Sequence, residues 1–581
     1  MARATEIRET QLRLELTQLS EPHKRALMML LQNETDSVVS LHIDAMRSNR
    51  QALELALTTV LRRKGRGLDS LADNDLTLRA HLAPDLRDKL DQLTAASTEL
   101  STRLRAAFDP RAAASRAEAV TTLRTRVEEL ESTLTAASAE FRVQSEPITV
   151  AKVRAALPPG AALVEFVRYR RFDPRQTQPP QEARYVAYVL PWKGLPQAVA
   201  LGEAAPIDAA IDAVIDAMHM GTGAGVARAA LQHLDTLVFN QLRDQLTNVS
   251  HVILSPDDKL NLVPFEALVD PQGRYELERR LVSYVASGRD LLRLAARRAP
   301  RSSATIIAAP DCGPPSSPAR NGLGTFRPLE GAAAEFAELP AYFVQARTLT
   351  GDQATKVALA ATVGPAVLHI ATHGFYAHDA ATSATPPHEP TGSAPPPPPL
   401  PPPSSAGFAR HLRRRWRVVF PFAAAIVRRP HRRARSRRAG AGGRQHSTRR
   451  HCDRPRAREL HWWGTQLVVL SACATGVGAV PSGEGVHGMR PALVLAGAES
   501  QVVSLWSVSD ASTRELMREF YGELARGTGR AQAQRQAKLR LLRQPRFAHP
   551  YYWAAFIPQE TGLHSIDTSL NEGRTTNDSA H

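Results

Sequence analysis

The chain is 581 residues long, 43% hydrophobic and formally +16 at pH 7, with three cysteines. That length and apolar content exclude a single small module and supply surface for large cores. Cys312, Cys452 and Cys473 are too few and too scattered for a disulfide framework or a CxxC metal site, so a reducing compartment and a free thiol are expected. The charge is concentrated: residues 410–460 hold eighteen arginines, no lysine and two acids, Asp453 and Glu459, which equals the whole net charge. A basic nucleic-acid surface built into a folded domain would be spread over elements with apolar periodicity, so nucleic acid is disfavoured as a partner. No run of about 18 uncharged apolar residues occurs, and the amino-terminal MARATEIRETQLRLELTQLS lacks the apolar core of a signal peptide. These features predict a cytoplasmic protein without a membrane span.

From the start to about residue 145 the pattern is helical. Val120, Leu123, Val127, Leu130, Leu134, Ala137 and Phe141 recur at spacings of three and four, and Leu86, Leu90, Leu93, Leu100 and Leu104 are spaced compatibly. Asp109 and Pro110 lie between the two stripes and predict a helical hairpin burying one seam. No repeat of about 34 residues is evident, so a repeat array is not demonstrable.

After Pro158, Pro159 and Gly160 the texture turns to short β-rich runs at 162–169, 184–191 and 251–256, with helical patterns at 207–218 and 226–246. Further strands are predicted at 281–287 and 304–309, and a helix at 331–339. Alternation of this kind indicates an α/β fold with a mostly parallel sheet flanked by helices, preceded by an all-α region.

Two later stretches carry the chemistry: VLHIATHGF at 367–375 and LVVLSACATG at 467–476. Each is an apolar run of strand length that ends at small residues and then presents one reactive side chain, His373 or Cys473. The carboxyl ends of strands in an open α/β sheet line the crevice where ligands bind, so these two are candidates for a nucleophile and its proton partner. Taken singly, such a His or Cys is most often a packed core residue. His369, opposite in direction to Ile370 on the same strand, is read as structural.

Six ordered blocks make the pattern specific: LSPDDKLNLVPFEAL (254–268), SGRDLL (287–292), LHIATHG, LVVLSACATG, GEGVHGMRPALVLAGAESQVVSLWSVSD (483–510) and HPYYWAAFI (549–557). With these, residues from about 150 to 560 resemble a CHAT domain, the caspase-like peptidase domain often found behind tetratricopeptide repeats. The resemblance implies the fold of caspases, separases and gingipains, a protein substrate, no cofactor, and His373 and Cys473 as the catalytic pair. The backbone N–H groups of Gly374 and Cys473 are the expected oxyanion donors, glycine after the histidine letting the substrate backbone approach closely. Asp510, in LWSVSD on the strand expected beside the Cys473 strand, has two readings, a specificity-pocket residue selecting a basic side chain or a helix N-cap for the residues from Ala511 onward. Glu484, in the loop Gly483–Glu484–Gly485, is read as a substrate contact or a helix-start residue.

Between the two stretches the family pattern fails. The chain runs PPPPPLPPP at 395–403, then through the arginine-rich stretch, and resumes the pattern at WWGTQLVVLSAC. Two readings stand for 377–462: an arginine-rich disordered arm behind a polyproline spacer, able to neutralise phosphates, or translation from a shifted reading frame of GC-rich codons, in keeping with the absence of lysine and with Ile426 as its only isoleucine. His431, His446, His451 and Cys452 lack metal-ligand spacing, so no metal is expected.

The expected organisation is a helical region at 1–148, a CHAT domain at 149–560 interrupted by 377–462, and a polar, disordered tail at 561–581. The expected function is a caspase-like cysteine endopeptidase acting on a partner protein, its amino-terminal helices receiving a regulatory protein. The alternatives are an inactive interaction scaffold with the same fold, and nucleic-acid binding through 410–460.

Overall fold

The apolar runs of the second region become the strands of one sheet. The computed structural model describes residues 2–16, 21–65, 84–105, 113–137, 148–172, 182–219, 221–294, 299–311, 330–343, 345–372, 375–378, 416–419, 462–471 and 496–559, with residues 82, 460 and 493. Its strands are β1 (Ala161–Arg170), β2 (Ala183–Pro191), β3 (Gln197–Glu203), β4 (His251–Ser255), β5 (Leu281–Tyr284), β6 (Ser302–Pro310), β7 (Arg347–Gly351), β8 (Pro365–Ala371), β9 (Phe375–His378), β10 (Trp416–Val419), β11 (Leu467–Ser471), β12 (Ser500–Ser504) and β13 (Phe556–Gln559). Eleven of them form one sheet in the order β3-β2-β1-β4-β5-β13-β12-β11-β8-β6-β7, and β9 and β10 make a separate antiparallel ribbon. Neighbours in the large sheet are parallel except β1/β2, β2/β3 and β12/β13.

The helices that matter below are α1 (Ala2–Leu16), α2 (Glu21–Ser40), α3 (Arg50–Arg63), α4 (Pro84–Arg105), α5 (Ala113–Ala137), α6 (Ala204–Ala217), α7 (Ala224–Leu237), α8 (Glu330–Glu338), α9 (Asp510–Ala525) and α10 (Arg530–Leu542). α4 and α5 form the hairpin expected from the leucine spacing, sealed by Leu82, Leu90, Leu93, Leu130 and Leu134. The helical pattern at 226–246 is a helix only to Leu237; the chain leaves helical geometry at Val238 and continues as two 3-10 turns over Asn240–Leu242 and Asp244–Leu246. β5 is shorter than the 281–287 run, because Ser287 and Gly288 already turn toward the helix that starts at Asp290, whose carboxylate accepts from the Ala286 and Ser287 N–H groups at 3.1 and 3.2 Å.

β1 is buried on both faces, and its alternation assigns each side chain to one of them. Ala162, Val164 and Phe166 join the larger core with α6, α7, α9 and α10. Ala161, Leu163, Val167 and Tyr169 face the other way and pack with Val186, Tyr188 and Leu190 of β2 against Val38 and Val39 of α2 and Ala56, Leu57, Val60 and Leu61 of α3. The first helices therefore cover a sheet face. Asn49 starts α3, its side chain accepting from the Ala52 N–H at 3.0 Å.

Asp36 sits in this helix–sheet junction. Its carboxylate accepts from the Arg170 N–H at 3.2 Å and from Gln32 Nε2 at 2.9 Å. Burial nevertheless dominates and pushes its pKa up to about 7, with Asp257 adding to the rise and the two hydrogen bonds opposing it. A carboxyl whose folded pKa lies above its unfolded value favours the folded state below the unfolded pKa, and that contribution is lost as pH rises from 3.8 through about 7. Asp36→Asn is thus expected to gain roughly 2 kcal/mol more stability relative to wild type at pH 8 than at pH 5. Denaturant titrations at the two pH values test this, and an equal difference at both would show that Asp36 is not titrating between them.

Candidate active site

β8 (PAVLHIA) and β11 (LVVLS) are buried along their whole length. They are adjacent, parallel and in register from Leu467 opposite Val367 to Ser471 opposite Ala371, so both end at the same edge of the sheet. Thr372 follows β8 and is buried, its hydroxyl without a hydrogen-bond partner among the described residues. In sequence, His373 comes two residues after Ala371 and Cys473 two residues after Ser471. His373, Gly374, Cys473 and Glu484 themselves lie outside the described residues, as do Cys312, Cys452, His431, His446 and His451.

β12 lies on the other side of β11, with Leu467 opposite Ser500. Asp510 is the first residue of α9 and is exposed, with Ser509 at the N-cap position. Between them the chain is pinned by Trp506, whose indole Nε1 donates to the Tyr551 carbonyl at 3.1 Å.

Behind the shared edge is a buried polar chain. Ser471 Oγ donates to Glu335 Oε2 of α8 at 2.9 Å. Glu335 Oε1 stands 3.1 Å from His369 Nε2, within ion-pair distance but without hydrogen-bond geometry. His369 Nδ1 is 2.9 Å from the hydroxyl of Tyr521 on α9, and the rings meet edge to face. Burial pushes the Tyr521 phenol well up, so its proton is retained. Nothing in the sequence pairs Glu335 and Tyr521 with the strand ends. Glu335 lies in the predicted 331–339 helix, and Tyr521 falls in none of the ordered blocks.

Those blocks instead supply much of the buried polar structure. Glu165 of β1 accepts from Ser255 Oγ at 2.7 Å and from the Gly288 N–H at 2.9 Å, and Asp257 accepts from the Arg168 N–H at 2.8 Å. The φ of Gly288 is ordinary, but a Cβ there would stand 2.3 Å from Leu163 Cδ2, so that position has no room for a side chain. Among the described residues no cluster of His, Cys, Asp and Glu could hold a metal ion, and no helix is long and apolar enough to cross a membrane.

A mostly parallel α/β sheet in which the His-bearing and Cys-bearing chain segments leave adjacent strands at one edge defines the class, a caspase-like cysteine peptidase fold. The family model of the CHAT domain matches residues 228–394 and 402–560, more than half of the chain, leaving 395–401 of the proline run between its two parts. The chain belongs to the CHAT domain family. Among solved structures it is similar to the separase–securin complex of Saccharomyces cerevisiae, at 8% identity and a TM-score of 0.40, covering 85% of this chain and 37% of that one. It is also similar to the Arg-specific cysteine proteinase gingipain R, at 10% identity and a TM-score of 0.31, covering 62% of this chain and 73% of that one. A third is the complex of Porphyromonas gingivalis RgpB pro- and mature domains, at 12% identity and a TM-score of 0.31, covering 63% of this chain and 78% of that one. No curated protein matches the chain.

Proposed function

We propose that this chain is a cysteine endopeptidase that cleaves a partner protein, with Cys473 as nucleophile and His373 as its proton partner. One observation carries this reading: β8 and β11 are adjacent, parallel and in register to their ends, and the two reactive residues follow those ends at equal distance in sequence. In this role the Cys473 thiolate forms a bond to the scissile carbonyl carbon, and the developing oxyanion is taken by the N–H groups of Gly374 and Cys473. Collapse breaks the C–N bond, His373 protonates the departing amine, and water then hydrolyses the thioester to release the acid and the free thiol. Asp510 and Glu484 serve as substrate contacts, Asp510 through its exposed place at the start of α9. The amino-terminal helices are assigned to regulation by a protein partner.

The test uses the full chain, its Cys473→Ala and His373→Ala variants, and a peptide pool varied at the residue before the cut, read by mass spectrometry. Cleavage by wild type alone is the expected result. Because this reading includes partner-driven activation, alkylation by iodoacetamide is followed in parallel. Cys473 should react about tenfold or more faster than Cys312 and Cys452, an advantage lost in His373→Ala, since the dyad raises the thiolate fraction. Uniform alkylation of the three thiols and no cleavage would replace the peptidase by an inactive scaffold of the same fold.

A further inference from the structure

The chain Ser471–Glu335–His369–Tyr521 is an odd feature for a sheet interior. It draws on four elements, β11, α8, β8 and α9, and all four side chains are buried. Burying polar groups costs free energy unless they are partnered, and here Glu335 Oε1 and His369 Nε2 face each other without completing a hydrogen bond. An apolar filling of the same volume would avoid that cost. What the polar chain supplies instead is direction: the Ser471–Glu335 and His369–Tyr521 hydrogen bonds fix distance and angle where apolar packing tolerates sliding, and Glu335 Oε1 stands 3.1 Å from the imidazole between them.

The location of the chain gives that direction a use. Ser471 is the last residue of β11 and is opposite Ala371, the last of β8; His369 is opposite Val469 one pleat earlier. Glu335 thus reaches the ends of both strands from one carboxylate, through Ser471 Oγ on one and the imidazole on the other. Tyr521 holds the far side of that imidazole from α9, the helix that begins at Asp510. We infer that this buried chain is a positioning clamp that fixes the offset between the β8 and β11 ends, and with it the relation of His373 to Cys473. The inference rests on the peptidase reading, because a clamp on these ends matters to chemistry only if the two residues act as a dyad. Ser471, Glu335, His369 and Tyr521 are positioning residues and touch no substrate.

The experiment measures iodoacetamide alkylation of Cys473 in the full chain, with Cys312 and Cys452 as internal references and thermal unfolding as a control for folding. Ser471→Ala removes the hydroxyl that Glu335 receives, and Ser471→Thr restores a hydroxyl at the same place. The clamp predicts an alkylation rate at Cys473 lowered about tenfold in Ser471→Ala, within the range expected for misplacing a reacting group. It predicts recovery to within about twofold in Ser471→Thr, which a simple packing role of the side chain would not give. Glu335→Gln serves if Ser471→Ala does not fold, and a similar fall is expected because an amide cannot accept from Ser471 with the strength of a carboxylate. Wild-type rates in folded Ser471→Ala or Glu335→Gln, or a Ser471→Thr variant no faster than Ser471→Ala, would overturn the clamp while leaving the peptidase intact. If Cys473 in the wild-type chain reacts no faster than Cys312 and Cys452, the peptidase reading fails and the clamp fails with it.

Discussion

Lys538→Met is expected to destabilise the protein by about 3–5 kcal/mol, the range for breaking a buried ion pair by removing one partner. Lys538 projects from α10 into the interior and donates to Glu266 Oε1 and to the Phe556 carbonyl. Glu266 receives a second donor on its other oxygen, the hydroxyl of Tyr284, and that hydroxyl also accepts the Phe265 N–H at 2.8 Å. Burial pushes the Lys538 ammonium below its usual pKa, and Glu266 opposes that shift. Methionine keeps most of the lysine volume, so the predicted loss comes from the stranded Glu266 carboxyl and the Phe556 carbonyl, and a cavity contributes little. Combining Lys538→Met with Glu266→Leu should recover part of it, since a pair replaced by apolar groups is often nearly neutral. Urea titrations of the single and double variants give the coupling. A single-variant loss below about 1 kcal/mol would place the pair among ion pairs that contribute nothing net.

A loss of similar size, about 3–5 kcal/mol, is expected for Lys64→Met. Lys64 ends α3 and is buried against the sheet. Its ammonium donates to the carbonyls of Phe166 and Ser255 at 2.8 and 2.7 Å and to Ser255 Oγ at 2.8 Å, and it lies 3.0 Å from Glu165 Oε1. Glu165 lies on β1 facing the amino-terminal helices, so removing the cation leaves a buried carboxylate supported, among the described residues, by Ser255 and the Gly288 N–H. The loss should be local in its first stage. Hydrogen exchange is expected to rise over residues 21–65 before the strands, because α2 and α3 are held to β1 and β2 by this hub and by one apolar face. Exchange that rises uniformly over the sheet, or a midpoint unchanged from wild type, would refute the assignment of Lys64 as the anchor.

The central strands were readable from the chain because both their faces are buried: 162–169, 184–191 and 251–256 are mostly apolar, β-rich runs interrupted by few polar residues, Glu165 and Arg168 among them, and the stretches before His373 and Cys473 are likewise mostly apolar. The seam of the α4–α5 hairpin was readable for the same reason at helical spacing. The edges were not. β3 and β7 are largely half-exposed, so the apolar run in QAVALGE is only four residues, 198–201, and RTLTG has none. β12 is buried but short and polar at both ends, and the sequence offered only a strand beside Cys473 without its bounds. The docking of α2 and α3 on the sheet escaped because a helix stripe states that a face is covered without stating by what. Glu335 and Tyr521 escaped because 34 and 152 residues separate them from His369, and only the folded chain sets them beside it.

At the middle of the sheet β5 and β13 meet through one residue pair, Tyr284 opposite Gln559, whereas β1 and β2 match over nine pairs. The sheet is in effect two plates, β3 to β5 and β13 to β7, butted along a seam. A long ladder shares a pulling load among many backbone bonds; a single pair cannot. Lys538, Glu266 and Tyr284 lie along this seam, so side chains act as dowels where the backbone ladder is nearly absent. Under tension the fold would part there first, as two plates that each keep their own strands.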